Sequence, residues 1–229
     1  MSYPIILMYH SLGDPKHDCP AVSLDSFVYQ MDFLRKNKYK VISIYEYFAL
    51  VLNRKNIPSH CVILTFDDGC KDNIKAARIL REFDFSATMF VVSSWIGKDG
   101  YLTEDDLLWI SRNTKVTIGS HTKSHAYLPD ANSEMLADEL IGSKKTIKNI
   151  ICSDVDFFSY PIGGFDERCI KAVKEAGYFC ALTTNRGFSE EINMFALRRI
   201  KINDRDKGWK LWLKLSGYYN FFKHPKHPY

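Results

Sequence analysis

No run in this chain approaches the ~18 consecutive apolar residues that a membrane-spanning helix needs. No C-x-x-C pair occurs among its six cysteines (Cys19, Cys61, Cys70, Cys152, Cys169 and Cys180), which argues against a zinc ribbon. A chain of 229 residues also has core enough to fold without disulfide staples. No linker rich in proline, glycine or serine divides it, for its 8 prolines and 12 glycines are scattered along the length. A short-period repeat is equally lacking. Charge of one sign is not in marked excess: 31 Lys and Arg against 27 Asp and Glu leave a net +4, too small and too dispersed to imply nucleic acid as a partner. The amino terminus, MSYPIILMYHSLGD, has no basic leader and only a short apolar run. It reads as a first strand and not as a signal peptide, so cytoplasmic residence is the expectation.

What is there is a regular alternation. PIILMY precedes SLDSFVYQMDFLRKN, where Ser23 can cap a helix with Phe27, Met31 and Leu34 on one face. KVISI precedes YEYFALVLN, CVILTF precedes NIKAARILREF, and ATMFVV precedes TEDDLLWISRN, with Thr103 as the cap of a helix whose first turn is acidic. KVTIG leads to NSEMLADELIGSKKTIKNI and DFFSY to DERCIKAVKEAGY, while FCALTT and LRRIKI are the last strands. Strand–helix units repeated this often imply an α/β fold with a parallel sheet, here a distorted (β/α) barrel of about seven parallel strands in one domain over residues 1–229. In such barrels the chemistry gathers at the carboxyl ends of the strands. Asp67, Asp68, His10, His121 and Pro161 all follow strand-like runs.

The stretch VILTFDDGC, residues 62–70, ends an apolar run with two adjacent carboxylates and a glycine. Like charges side by side repel, and a strand end near a core is a costly place for them. Polar residues that mark where a strand leaves a core are one account of the pair; a cation with a different task for each acid is the other. The stretch IGSHTKSH sets His121 and His125 four apart, which on one helical turn would face both imidazoles the same way. Ser120, His121 and Ser124 could alternatively serve only loop backbone groups. With D-D-G at another strand end, a carboxylate and two neutral imidazoles make a three-ligand site with an open position, the arrangement of catalytic metals. Ligand type fits zinc, with cobalt, nickel and iron(II) as alternatives.

TFDDG, SHTKSH and YPIGG, in that order and at these intervals, resemble the motifs of polysaccharide deacetylases, the family 4 carbohydrate esterases. ILMYHSLGD and LDSFVYQMDFLRKNKYKVISIYEYF are similar to the branch that deacetylates poly-N-acetylglucosamine, so the likeness runs from about residue 3 to about residue 202. The resemblance implies a metal held by Asp68, His121 and His125, with Asp67 as general base and an N-acetylated glycan as substrate. It also implies that the backbone N–H of Ile162, after Pro161, stabilises the oxyanion. Gly69 would let the chain turn so that both acids reach the site, and SYPIGG would be a pocket wall, with Tyr160 held extended by Pro161 and Gly163–Gly164 admitting a sugar. Asp166 could cap the helix that follows.

Two positions depart from the family pattern. Ser159 stands where members carry an arginine that orients the catalytic aspartate, and Arg199, in ALRRIKI, is the expected substitute. LRRIKIND lacks the late histidine that donates a proton to the departing amine, so His10 is the candidate donor. Deformylation or O-acetyl hydrolysis are alternatives within the same chemistry; a carbohydrate-binding barrel without turnover is the rival outside it. The end of the chain, residues 205–229, combines Trp209, Trp212, Tyr218, Tyr219, Phe221 and Phe222 with lysines. It reads as a last helix closing the bottom of the barrel and a basic tail, peripheral membrane contact being the alternative. Cys70, beside the acids, reads as packing, with a fourth-ligand role as the alternative.

Overall fold

The apolar runs form strands in the expected order. The computed structural model describes residues 5–13, 21–186 and 192–221. Within them lie β1 (Ile5–Tyr9), β2 (Ser11–Leu12), β3 (Ala21–Val22), β4 (Lys40–Val41), β5 (Cys61–Phe66), β6 (Ala87–Val91), β7 (Val116–Ser120), β8 (Phe157–Ser159), β9 (Cys180–Leu182) and β10 (Ile200–Lys201). β2 and β3 pair only with each other. The other eight make one parallel sheet in the order β10-β1-β5-β6-β7-β8-β9, with β4 added on β5. β5 forks: its first residues, Cys61 and Val62, pair with β4, and its last, Thr65 and Phe66, pair with β6.

The sheet curls into a distorted barrel, and the segment before β10 closes the seam. Leu197 bridges Leu182, exchanging hydrogen bonds of 2.9 Å with Ala181 and Thr183. Three residues further on, Ile200 and Lys201 lie in register with Leu7 and Met8 of β1. One short stretch therefore joins the last strand to the first.

The helices follow as α1 (Leu24–Lys36), α2 (Ile44–Leu52), α3 (Asn73–Phe83), α4 (Glu104–Asn113), α5 (Ser133–Ala137), α6 (Ser143–Ile151), α7 (Glu167–Glu175), α8 (Trp209–Leu215) and α9 (Tyr218–Phe221). A π turn, Asp138–Gly142, runs between α5 and α6. Their starts are chemically marked. Ser23, Thr103 and Asp166 each accept the backbone N–H three residues on. The strand expected over KVISI stops at Val41, because Ser43 enters a capping box with Glu46 and opens α2 instead.

Alternation along the strands gives two cores. Leu7, Leu64, Met89 and Phe158 face the helices, while Ile6, Ile63, Phe90, Phe157, Leu182 and Leu197 fill the barrel. α8 buries Leu211 and Leu215 and leaves Trp209 (69%) and Trp212 (52%) exposed. Its lower end lines a groove with Ile5 and Cys61, at the amino-terminal ends of β1 and β5. Residues 222–229, with Phe222 and the basic end of the tail, lie outside the described residues. Among the described residues no helix is long and apolar enough to cross a membrane.

α8 is tied to the seam by a buried ion pair. Lys214 Nζ donates to Asp206 Oδ2 at 2.6 Å and to Lys201 O at 2.7 Å, and Asn203 N donates to the same carboxylate oxygen at 2.8 Å. Removing one partner strands a buried charge. Asp206→Ala should therefore lower the unfolding free energy by about 3–5 kcal/mol in urea titration; a loss below about 1 kcal/mol is what a solvent-screened surface pair gives.

Candidate metal centre

Strand alternation decides which side chains meet at the top of the barrel. Ile63 and Phe157 point inward, so Thr65, Asp67 and Ser159, at even spacing beyond them, share that direction. Arg199 bears the same relation to Leu197. The four side chains converge. Arg199 Nη1 donates to Asp67 Oδ1 at 2.7 Å and Nη2 to Asp67 Oδ2 at 2.6 Å, a bidentate pair. The remaining donors go to Thr65 Oγ1 (3.2 Å), Ser159 Oγ (2.8 Å) and Thr183 O (3.0 Å). All five N–H donors of the guanidinium are thus engaged. Asp67 is 2% exposed and Arg199 1%. Burial alone would raise the Asp67 carboxyl, but the Arg199 guanidinium, helped by His121, holds it below the usual carboxylate range.

Asp68 leaves this inward lane. It and Gly69 both take left-handed backbone, φ 74, and a Cβ on Gly69 would lie 2.9 Å from Val91 Cγ1. The turn brings Asp68 to the rim opposite the end of β7. There His121 Nε2 lies 3.4 Å and His125 Nε2 3.5 Å from Asp68 Oδ1. Burial would raise the Asp68 carboxyl, and the two imidazoles outweigh it and hold it well below its ordinary range. For His121, burial lowers the imidazole, yet the Asp67 charge and the Asp68 hydrogen bond carry it upward. The expected helical turn is absent. His121 and His125 converge through a loop in which Thr122 (φ 67) and His125 (φ 64) are left-handed.

The donor set fits a divalent cation. One carboxylate oxygen and two imidazole nitrogens lie within 4.8 Å of one another. His121 Nδ1 is 2.8 Å from Ser159 O; a carbonyl can only accept, so Nδ1 carries a proton, and Nε2, facing Asp68, is the nitrogen that would ligate a metal in exchange for its own proton. Three such ligands leave a fourth position open.

The other expected residues divide. His10 is half-buried at the end of β1, within reach of both carboxylate charges; burial lowers its imidazole against the pull of Asp67 and Asp68. Ile162 stands at the rim, 60% exposed, with the left-handed φ of 61 that a β-branched residue rarely adopts. Tyr160 is corrected: strand alternation turns it outward with Phe158, where it is fully buried, its ring is stacked on Phe165 and its hydroxyl donates to Phe195 O at 3.1 Å. It lines no pocket. Pro161 is buried as well, and Cβ atoms on Gly163 and Gly164 would run into Thr184 and Tyr127, so both glycines are closely packed against this chain's own residues. Cys70 is buried outside the three-ligand cluster. Sequence reasoning missed Trp95, whose ring stacks on His125 at 5.2 Å, and the carbonyl of Ser159. Neither carries a spacing signal, since one comes from the loop after β6 and the other is main chain.

The chain belongs to the polysaccharide deacetylases, the family 4 carbohydrate esterases, which residues 54–181 match. The Bacillus subtilis protein YxkH is 30% identical over 86% of this chain and 71% of its own. The poly-β-1,6-N-acetyl-D-glucosamine N-deacetylase of Escherichia coli K12 is 20% identical over 86% of this chain and 36% of its own. Among solved structures, the Streptococcus pyogenes deacetylase PplD, in complex with acetate, has a TM-score of 0.86 and 23% identity over 93% of this chain and 98% of that one, which places the two in the same fold.

The Asp67–Arg199 pair sets a test of charge balance. Arg199→Met strands a buried carboxylate and should reduce stability by about 3–5 kcal/mol in urea. Adding Asp67→Asn removes the stranded charge, so the double variant should be more stable than Arg199→Met alone. Strict additivity of the two losses would mean that the charges are not coupled.

Proposed function

We propose that this protein is a metal-dependent hydrolase that removes N-acetyl groups from the amino sugars of a polysaccharide or lipid-linked glycan. One observation carries the proposal: three ligand atoms of Asp68, His121 and His125 gathered within 4.8 Å, directly beside a second carboxylate buried against a guanidinium. A binding protein has no need of that second acid. Family membership supports amide hydrolysis, and the E. coli relative's name supports an N-acetylated glucosamine polymer as the substrate class.

A divalent cation at these three ligands, zinc by donor type or else cobalt, nickel or iron(II), supplies polarisation of an acyl carbonyl and acidification of a water molecule. Asp67 is the base that takes a proton from the attacking water. Arg199 keeps that carboxylate ionised and fixed in direction, which fills the place left by Ser159. The hydroxyl adds to the acyl carbon, and the Ile162 N–H donates to the oxygen as its charge grows. When the C–N bond breaks, the nitrogen leaves as an amine and takes up one proton. His10 is proposed as the group that delivers it. Burial lowers the His10 imidazole against the pull of Asp67 and Asp68, and the proton it hands to the amine would be the one that Asp67 took from the water, so the step balances.

Acetate release from N-acetylglucosamine oligomers, assayed with added Zn²⁺ or Co²⁺, tests the proposal. Asp67→Asn should lower the rate by ~10²–10⁴ while the bound metal stays stoichiometric. Metal binding without acyl release from any glycan would leave a carbohydrate-binding barrel. Formate release, or acetate from O-acetyl substrates alone, would reassign the acyl group. His10→Gln should cost a similar factor; an unchanged rate would assign proton delivery to Asp67.

A further inference from the structure

The loop between the two histidines is held from outside the site. With left-handed backbone at Thr122 and His125, residues 121–125 keep their shape only if their surroundings fix it. Their backbone groups find partners one by one. His121 N donates to Val91 O at 2.9 Å, and His125 N to Thr122 Oγ1 at 2.9 Å. Thr122 O accepts from Ser93 N (3.1 Å) and from Ser143 Oγ (2.9 Å), and Lys123 O accepts from Ser94 N (2.9 Å). Two of the other amides reach one side chain: Lys123 N and Ser124 N donate to Glu139 Oε2 at 2.8 and 2.9 Å. Ser124 Oγ donates to Glu139 Oε1 at 2.5 Å.

Glu139 reaches them because its helix widens there. Glu139 lies in the π turn, Asp138–Gly142, and the wide turn directs two neighbouring residues inward. Leu140 enters the core, and Glu139, 7% exposed, enters the loop. One helical turn later Ser143 engages Thr122 O from the same face. Single π turns recur where a helix serves a functional site. Asp138, its neighbour, stays exposed and pairs with the Lys123 ammonium at 2.9 Å.

We infer that Glu139 is a positioning residue of the metal centre: its carboxylate fixes the 122–125 backbone and thereby sets where the His125 imidazole points. This rests on Asp68, His121 and His125 being metal ligands. Glu139 touches neither substrate nor metal; it acts through His125.

Competition for Zn²⁺ against a chromophoric chelator, on the full chain, tests this. Glu139→Gln should bind Zn²⁺ roughly 10- to 100-fold more weakly than wild type, and its Co²⁺-loaded form should show a shifted visible absorption spectrum. Asp138→Asn should match wild type in both. A Glu139→Gln protein with a lowered melting temperature but unchanged Zn²⁺ affinity and Co²⁺ spectrum would overturn the inference, as would an equal loss in Asp138→Asn. Should Glu139→Gln fail to fold, Ser124→Ala removes a single bond to Glu139 and should weaken Zn²⁺ binding in the same direction; unchanged affinity there also overturns it. A wild-type chain that binds no Zn²⁺ would sink the metal-centre reading along with this one, whereas equal binding by wild type and Glu139→Gln sinks only the role of Glu139.

Discussion

Everything at the top of this barrel depends on how one buried negative charge is balanced. A carboxylate taken out of water without a partner costs several kcal/mol, and Asp67 is taken out almost completely. Arg199 answers it with both terminal nitrogens, and its remaining donors spread over β5, β8 and the loop after β9. The same contacts therefore fix the carboxylate's direction and lock three barrel strands against one another. They also separate two residues that the sequence writes alike. Asp67 lies in a dry lane facing a guanidinium; Asp68, one residue on, is swung by a left-handed turn onto two imidazoles.

Backbone strain is built into the loops of this rim. Asp68 and Gly69 after β5, Thr122 and His125 after β7, and Ile162 and Gly163 after β8 all have positive φ. Conformations of this kind cost of order 1–3 kcal/mol each for residues other than glycine, and they persist only where surrounding contacts over-determine them. Here the contacts are identifiable: Ser159 O on His121, Trp95 against the His125 ring, and the amide partners of the 122–125 loop. A rim built this way keeps its shape before any ligand arrives, which a site that stabilises developing charge requires.

Much of this was legible in the sequence, for definable reasons. Strand alternation and helix caps are local rules, so CVILTF, NIKAARILREF and the caps at Ser23, Thr103 and Asp166 fell where the residues put them. The three candidate ligands were visible because a D-D-G and a paired histidine spacing, each weak alone, point to the same chemistry when they follow two strands. Arg199 was visible only as a vacancy elsewhere: Ser159 cannot supply a cation, and the arginine in ALRRIKI, just before β10, could. The helical turn over His121–His125 was wrong because two left-handed residues leave no trace in spacing. Tyr160 was misassigned for a related reason: adjacency to a motif proline says nothing about which face of the strand a ring takes. Glu139 stayed invisible, since a π turn redirects one side chain without altering the apolar pattern around it.

The seam between β9 and β1 gives the chain a particular order of assembly. Asp67 and Arg199 are 132 residues apart, and the stretch that carries the arginine is also the one that covers the two open edges of the sheet. During synthesis, then, the acid emerges long before its counter-charge. Until the stretch around Arg199 seats, Asp67 lacks this guanidinium, and the edges of β1 and β9 stay open to stray pairing. Charge neutralisation at Asp67 and covering of the sheet edges therefore come in the same closing step.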